Sequence, residues 1–272
     1  MIYIHPTTKR RLDILSSELP QSLLLRGEPG VGLLTIAKQL AGDDLALILR
    51  PENAKGVFDQ QGTIAVEKIR DLYDQTRSKH TKPYIVIIDD ANKMSAGAQA
   101  AFLKLLEEPA TNIHFLLLSH TPERLLPTIR SRVQHLVILP ISQAQTDSLL
   151  ADLSITDKTK RTQLLFIASG LPAEIIRLTR DEDYFSTRAV LMGDGRQLLQ
   201  ANAYEKLLVV NKYQSDRTTA IELIDSMLLI ARRSMSTKPS TTIIKQLDLL
   251  LDIQANIAAG YNVRLQLARC AL

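Results

Sequence analysis

The chain has 272 residues, 45% of them hydrophobic and 23% charged, which is typical of a globular protein long enough for two or three domains. No apolar run approaches the roughly 18 residues of a membrane span, the first residues lack the apolar core of a secretory signal, and Cys270 is the only cysteine. These features exclude a disulfide within the chain and a cysteine-rich zinc site, and they predict a cytoplasmic protein with no membrane contact.

The first half of the sequence alternates short apolar runs with segments of helical periodicity. The apolar runs predict strands at residues 22–25, 45–49, 84–88, 115–118 and 135–139. The periodic segments predict helices at residues 1–21, 35–40, 64–77 and 95–106, with Ser95 as the N-cap of the last. From Ile141 onwards strand-like runs are missing, and the second half is predicted to be helical.

A glycine-rich turn joins the first strand to the next helix. Gly27 and Gly32, with Gly30 between them, have the spacing of the phosphate-binding loop Gly-x-x-x-x-Gly-Lys-Ser/Thr. Leu33 stands where that motif has its phosphate-binding lysine, and Leu34 stands where it has the Mg²⁺-binding hydroxyl. Phosphoryl transfer depends on the charges that those groups supply. We therefore predict a vestigial loop, and a nucleotide held by backbone N–H groups alone is the alternative.

Polar residues end two of the predicted strands. Asp89 and Asp90 follow the run Tyr84–Ile88, and Ser119 ends the next strand. Ligands of parallel α/β sheets bind at the carboxyl ends of strands, and an acid there can hold Mg²⁺. In this sequence the same edge would also carry the degenerate glycine loop.

Three segments together resemble the AAA+ clamp-loader family. They are Ile87–Ala91, Leu103–Pro109 and Leu126–Arg132, which look like its Walker B strand, its LLKxLEEP helix end and its Ser-Arg-Cys motif, with Val133 in place of the cysteine. The resemblance implies an α/β RecA-like core, a parallel sheet flanked by helices, over residues 1–140. It also implies an all-α lid at 141–182 and an all-α collar for oligomerisation at 183–272.

The resemblance implies roles for single residues as well. Asp89 and Asp90 occupy the Walker B positions, and Asp90 stands where active members have a catalytic glutamate. Ser119 lies near the sensor 1 position. Ala173 stands at about the position where active members have the sensor 2 arginine. Ser131 and Arg132 match the motif whose arginine enters the nucleotide site of a neighbouring subunit. A salt bridge from Arg132 to acids of its own chain is the alternative.

The implied function is that of a non-hydrolysing subunit, a stator of a bacterial DNA polymerase III clamp loader. Such a subunit is not an enzyme on its own and needs no cofactor or metal, zinc included. Its partners would be ATP-binding subunits of the gamma or tau type, a delta-type subunit, the sliding clamp and primer-template DNA.

Two alternatives belong to other classes of protein. An active AAA+ ATPase subunit is disfavoured by Leu33 and Leu34. A stand-alone DNA-binding module is compatible with the net charge of +4, but 4% aromatic residues without a tryptophan disfavour a base-stacking platform.

Overall fold

The computed structural model describes residues 2–76, 81–108, 110–237 and 239–271, so Arg77 of the predicted third helix and Pro109 of the LLKxLEEP-like segment lie outside the described residues. The chain forms two compact units, residues 1–176 and 177–272. The three-domain boundaries at 140 and 182 stay a prediction. Among the described residues, no helix combines the length and apolar character needed to cross a bilayer.

The first unit contains a five-stranded parallel sheet, as the sequence predicts. Its strands are β1 Ser22–Arg26, β2 Leu45–Leu49, β3 Tyr84–Ile88, β4 Ile113–Ser119 and β5 Gln134–Val137. They lie in the order β2-β3-β4-β1-β5. Because all neighbours are parallel, the carboxyl ends of all five strands share one edge of the sheet.

Helices surround this sheet and continue beyond it. They are α1 Pro6–Ser17, α2 Leu33–Ala41, α3 Val66–Thr76, α4 Ala96–Glu107, α5 Pro127–Arg130, α6 Gln143–Asp152, α7 Lys158–Ala168 and α8 Pro172–Arg180. Ser95 caps α4 as predicted, since its side chain accepts a hydrogen bond from the Ala98 N–H. Between β4 and β5 the chain forms the short helix α5, which ends just before Ser131. Pro127 begins α5 and the buried Ile129 holds it on the core.

Alternate side chains of the strands enter two separate apolar layers, one on each face of the sheet. Ile88, Phe115 and Leu117 pack with α3 and α4 in the first layer. Leu25, Ile87 and their neighbours pack with α1 and α2 in the second. A strand that is covered on both faces needs apolar residues at consecutive positions, which is why β1 and β3 could be recognised as uninterrupted apolar runs.

The second unit is helical. Besides the end of α8 it contains α9 Glu182–Gln200, α10 Ala203–Tyr213, α11 Arg217–Thr237, α12 Thr241–Ala258 and α13 Val263–Ala268. Leucine, isoleucine and valine side chains from all five of these helices fill its core. One acid is buried beside that core: Asp194 accepts from Tyr213 Oη at 2.7 Å and pairs with Lys212 Nζ at 3.1 Å. A buried carboxylate needs such partners to offset the cost of its desolvation.

Candidate functional site

The glycine loop has the position of a phosphate-binding loop in the fold. It connects β1 to α2 at the carboxyl edge of the sheet, and Gly32 (φ +89°) is the N-cap of α2. His120, the residue after β4, reaches across to it, with Nδ1 2.7 Å from the Gly27 carbonyl oxygen. A carbonyl only accepts, so Nδ1 must carry the hydrogen. The loop therefore has the strand-turn-helix backbone that phosphate-binding loops share.

The side chains of this loop have a different role from those of an active phosphate-binding loop. Leu33, at the lysine position, is 4% exposed and packs in the core with Ile36 and Ala37 of α2. Leu34, at the hydroxyl position, is half-buried against the same core. Both positions contribute apolar contacts to the fold, and neither supplies a charge or a hydroxyl for a phosphate or Mg²⁺.

The start of α8 lies directly on the loop. The Gly30 carbonyl accepts hydrogen bonds from the Ala173 N–H at 2.9 Å and the Glu174 N–H at 3.3 Å. A Cβ at Gly30 would lie 2.8 Å from the Cβ of Glu174. Ala173, the sensor 2 position, therefore lies beside the loop and contacts it through its backbone.

Gly30→Ala is expected to destabilise the first unit by about 2–4 kcal/mol. The substitution combines backbone strain at φ +90° with overpacking against Glu174. Gly42→Ala is the matched control, because Gly42 also has a positive φ (+53°) but a Cβ there would meet no atom within 4 Å. Urea unfolding of both variants measures the difference. Equal losses of stability in Gly30→Ala and Gly42→Ala would mean that α8 is not packed closely enough on the loop to exclude a Cβ at Gly30.

The first acid of the Walker B-like strand is paired with a cation of its own chain. Asp89 Oδ2 lies 3.4 Å from Nε of Arg50, the residue that follows the neighbouring strand β2. Burial raises the pKa of the Asp89 carboxyl and the charge of Asp90 raises it further, whereas Arg50 and His120 act to lower it. The charge of Arg50 thus partly offsets the cost of this partly buried carboxylate, although its Nε makes no hydrogen bond.

The second acid and the serine are also engaged within the chain. Asp90 Oδ2 lies 3.0 Å from Lys93 Nζ, and Lys93 also donates to the Gln60 carbonyl. Ser119 is fully buried, and its hydroxyl donates to Asn92 Oδ1 at 2.8 Å. Within the described ranges no three His, Cys, Asp or Glu side chains cluster as ligands for a metal ion. The prediction that the chain needs no metal or other cofactor stays a prediction.

Arg132 lies at the other edge of the sheet. Leu23 pairs with Gln134 and Arg26 with Val137, so Ser131 and Arg132 precede β5 at its amino end, whereas Gly27 follows the carboxyl end of β1. A strand advances about 3.3 Å per residue, so the length of β1 separates these edges by roughly 15 Å. The finger position and the glycine loop of the same chain therefore do not form one site.

The side chain of Arg132 is half-exposed and makes two contacts. Its Nη2 lies 2.8 Å from Glu107 Oε1, and its Nη1 donates to the Thr128 carbonyl at 3.1 Å. This salt bridge is the alternative that the sequence left open for Arg132. Ser131 is exposed and donates from its hydroxyl to the same Thr128 carbonyl at 3.1 Å.

The predicted site residues thus fall into two groups. The residues at the carboxyl edge are Gly27, Gly30, Gly32, Asp89, Asp90 and Ser119, while Ser131 and Arg132 are at the amino edge. Sequence reasoning missed Arg50, His120 and Lys93. Arg50 and His120 each follow a buried strand directly, which is the signal that would have placed them at the carboxyl edge.

Comparisons with known proteins agree with this fold. The family model described as "DNA polymerase III, delta subunit" matches residues 43–142. The DNA polymerase III subunit delta' of Pseudomonas aeruginosa is 36% identical over 135 residues, 48% of this chain and 39% of that protein. The subunit delta' of Bacillus subtilis is 27% identical over 63% of this chain and 52% of its own length. The matched region is therefore about half or less of each of these two proteins.

A solved structure resembles the whole chain. It is that of a DNA polymerase III gamma subunit-related protein from Thermotoga maritima, with a TM-score of 0.55, 19% identity and coverage of 97% of both chains. At this identity the likeness supports the fold alone.

Proposed function

We propose that this chain is a member of the AAA+ clamp-loader family and, within it, a delta-prime-like subunit that does not itself hydrolyse ATP. In this role it acts as a stator of the DNA polymerase III clamp loader. It supplies Arg132 as an arginine finger to the nucleotide site of an adjacent subunit. Its contribution to catalysis is then to stabilise negative charge on a neighbour's ATP.

The position of Arg132 carries this proposal. A half-exposed guanidinium at the amino edge of the sheet is separated from its own glycine loop by the length of β1. It is accessible to a molecule that docks at that edge. The pair with Glu107 does not oppose this role, because exposed ion pairs contribute only about 0–1 kcal/mol.

The loop and the acids support the absence of hydrolysis. Bound Mg-ATP would need a cation at the lysine position and free carboxylate oxygens for the metal. Leu33 is instead part of the core, Asp89 is paired with Arg50, and Asp90 is paired with Lys93. The residues present do not fit Mg-ATP, and we assign no chemical step to this chain's own loop.

The partners follow from the proposed role. They are ATP-binding subunits of the gamma or tau type, a delta-type subunit, the sliding clamp and primer-template DNA, all in the cytoplasm where bacterial DNA is replicated. The second unit, with its five further helices, would serve as the collar that joins the subunits.

The isolated chain is expected to show no saturable, Mg²⁺-dependent ATP binding in the micromolar range. Equilibrium titration with a fluorescent ATP analogue, with and without Mg²⁺, measures this, and an ATP-binding loader subunit is the positive control. Micromolar binding that disappears with chelation of Mg²⁺ would support the active ATPase instead. Weak binding that is independent of Mg²⁺ would indicate that backbone N–H groups alone hold the nucleotide.

A further inference from the structure

The ion pair between Arg132 and Glu107 has a defined geometry. Glu107 Oε1 lies 2.8 Å from Nη2, and the Thr128 carbonyl accepts from Nη1 at 3.1 Å. The two acceptors therefore hold both terminal nitrogens of one planar group. A guanidinium held at two nitrogens has a restricted plane and direction, and it keeps further N–H groups for another acceptor.

Both residues of the pair are attached to the same apolar core. Glu107 is the last helical residue of α4, whose Phe102 and Leu105 are buried in the layer beside the sheet. Arg132 lies between α5 and β5, flanked in sequence by Ile129 and Val133, which are buried in that same layer. Since the core fixes α4 relative to this segment, the carboxylate has a defined place beside the guanidinium.

We propose that Glu107 is a positioning residue for Arg132. Together with the Thr128 carbonyl it orders the guanidinium before a neighbouring subunit's nucleotide arrives. The rotamer freedom of the arginine is then lost before the reaction and does not add to its barrier. This inference rests on the proposed finger role of Arg132.

The positioning role predicts a specific kinetic signature. A finger that is ordered in advance stabilises the transition state without strengthening ground-state ATP binding. Loss of the Glu107 charge should therefore lower kcat and leave KM for ATP nearly unchanged. The fold should tolerate Glu107→Gln, because removing a negative charge from the last turn of a helix is favourable for the helix dipole.

The test is ATP turnover by the reconstituted loader with clamp and primed DNA. Glu107→Gln is expected to lower kcat by about three- to tenfold, with KM for ATP changed less than about twofold. Glu108→Gln is the matched control, since it makes the same charge change one residue further on, and it should leave kcat unchanged. In an Arg132→Ala background, Glu107→Gln should have no additional effect, because it acts through the arginine.

Other outcomes would overturn the inference. Wild-type turnover with Glu107→Gln would mean that the ion pair is only a surface contact. Increased turnover would mean that Glu107 holds the arginine back from the neighbouring site. If Glu107→Gln lowers turnover as much in the Arg132→Ala background as in the wild type, Glu107 acts independently of Arg132. If Arg132→Ala alone has no effect on turnover, the proposed finger role itself fails. That result can be distinguished from a failure of the positioning role of Glu107 alone.

Discussion

Replacing Arg132 by alanine is expected to lower DNA-stimulated ATP turnover of the reconstituted loader by at least about tenfold. The arginine finger neutralises charge that develops on the transferred phosphoryl group, and alanine offers no substitute for it. Assembly of the complex should be unaffected, because the Arg132 side chain is half-exposed and its ion pair with Glu107 contributes little to stability. The measurement combines steady-state turnover with gel filtration of the complex.

Two further variants make the Arg132 result specific. Arg132→Lys keeps the charge but loses the planar fork, so we expect turnover between those of the wild type and the alanine variant. Arg124→Ala removes another exposed arginine of the same unit and should leave turnover unchanged. If turnover of an intact Arg132→Ala complex equals that of the wild type, the arginine serves only its own chain through Glu107.

The strands could be predicted closely because their signal is local. β2 and β3 have the predicted bounds, and β4 extends the predicted run by two residues at its start and one at its end. A strand buried on both faces requires apolar residues without interruption, and the residues that end the run are polar. The helix starts were less well predicted. α2 begins at Leu33, two residues before the predicted start. The start was missed because the N-cap is Gly32, which has no side chain to signal a cap.

The partners of the site residues could not be predicted, because they depend on strand order. Arg50 meets Asp89 only because β2 lies next to β3, and His120 reaches Gly27 only because β4 lies next to β1. Likewise, Arg132 meets Glu107 because α4 and the segment after α5 share one core layer. A single sequence contains the residues of each pair but not the packing that joins them.

The separation of Arg132 from the glycine loop has a different origin. Both belong to polar segments next to strands of the sheet, and nothing in the composition of those segments distinguishes its two edges. The difference is that Gly27 follows its strand while Arg132 precedes its own. In a parallel sheet this order alone puts the two residues at opposite edges, so chain direction could have predicted their separation once both strands were assigned.

The largest expected loss of stability comes from Phe102→Ala, which should cost the first unit about 3–5 kcal/mol. Phe102 is fully buried on α4 and meets Phe115 of β4 edge to face, with ring centroids 5.2 Å apart. Alanine would leave a cavity between helix and sheet and would remove the aromatic pair. Hydrogen exchange of the buried amides of β3 and β4 reports the opening free energy of this unit separately from that of the second unit.

Phe58→Ala is the control for the loss of an aromatic side chain. Phe58 is 50% exposed and contacts Arg50 through its ring face, so its removal should cost less than about 1 kcal/mol. A loss at Phe102 no greater than that at Phe58 would mean that α4 is not fixed to the sheet by this contact. In that case Glu107, which α4 carries, would have no defined place from which to orient Arg132.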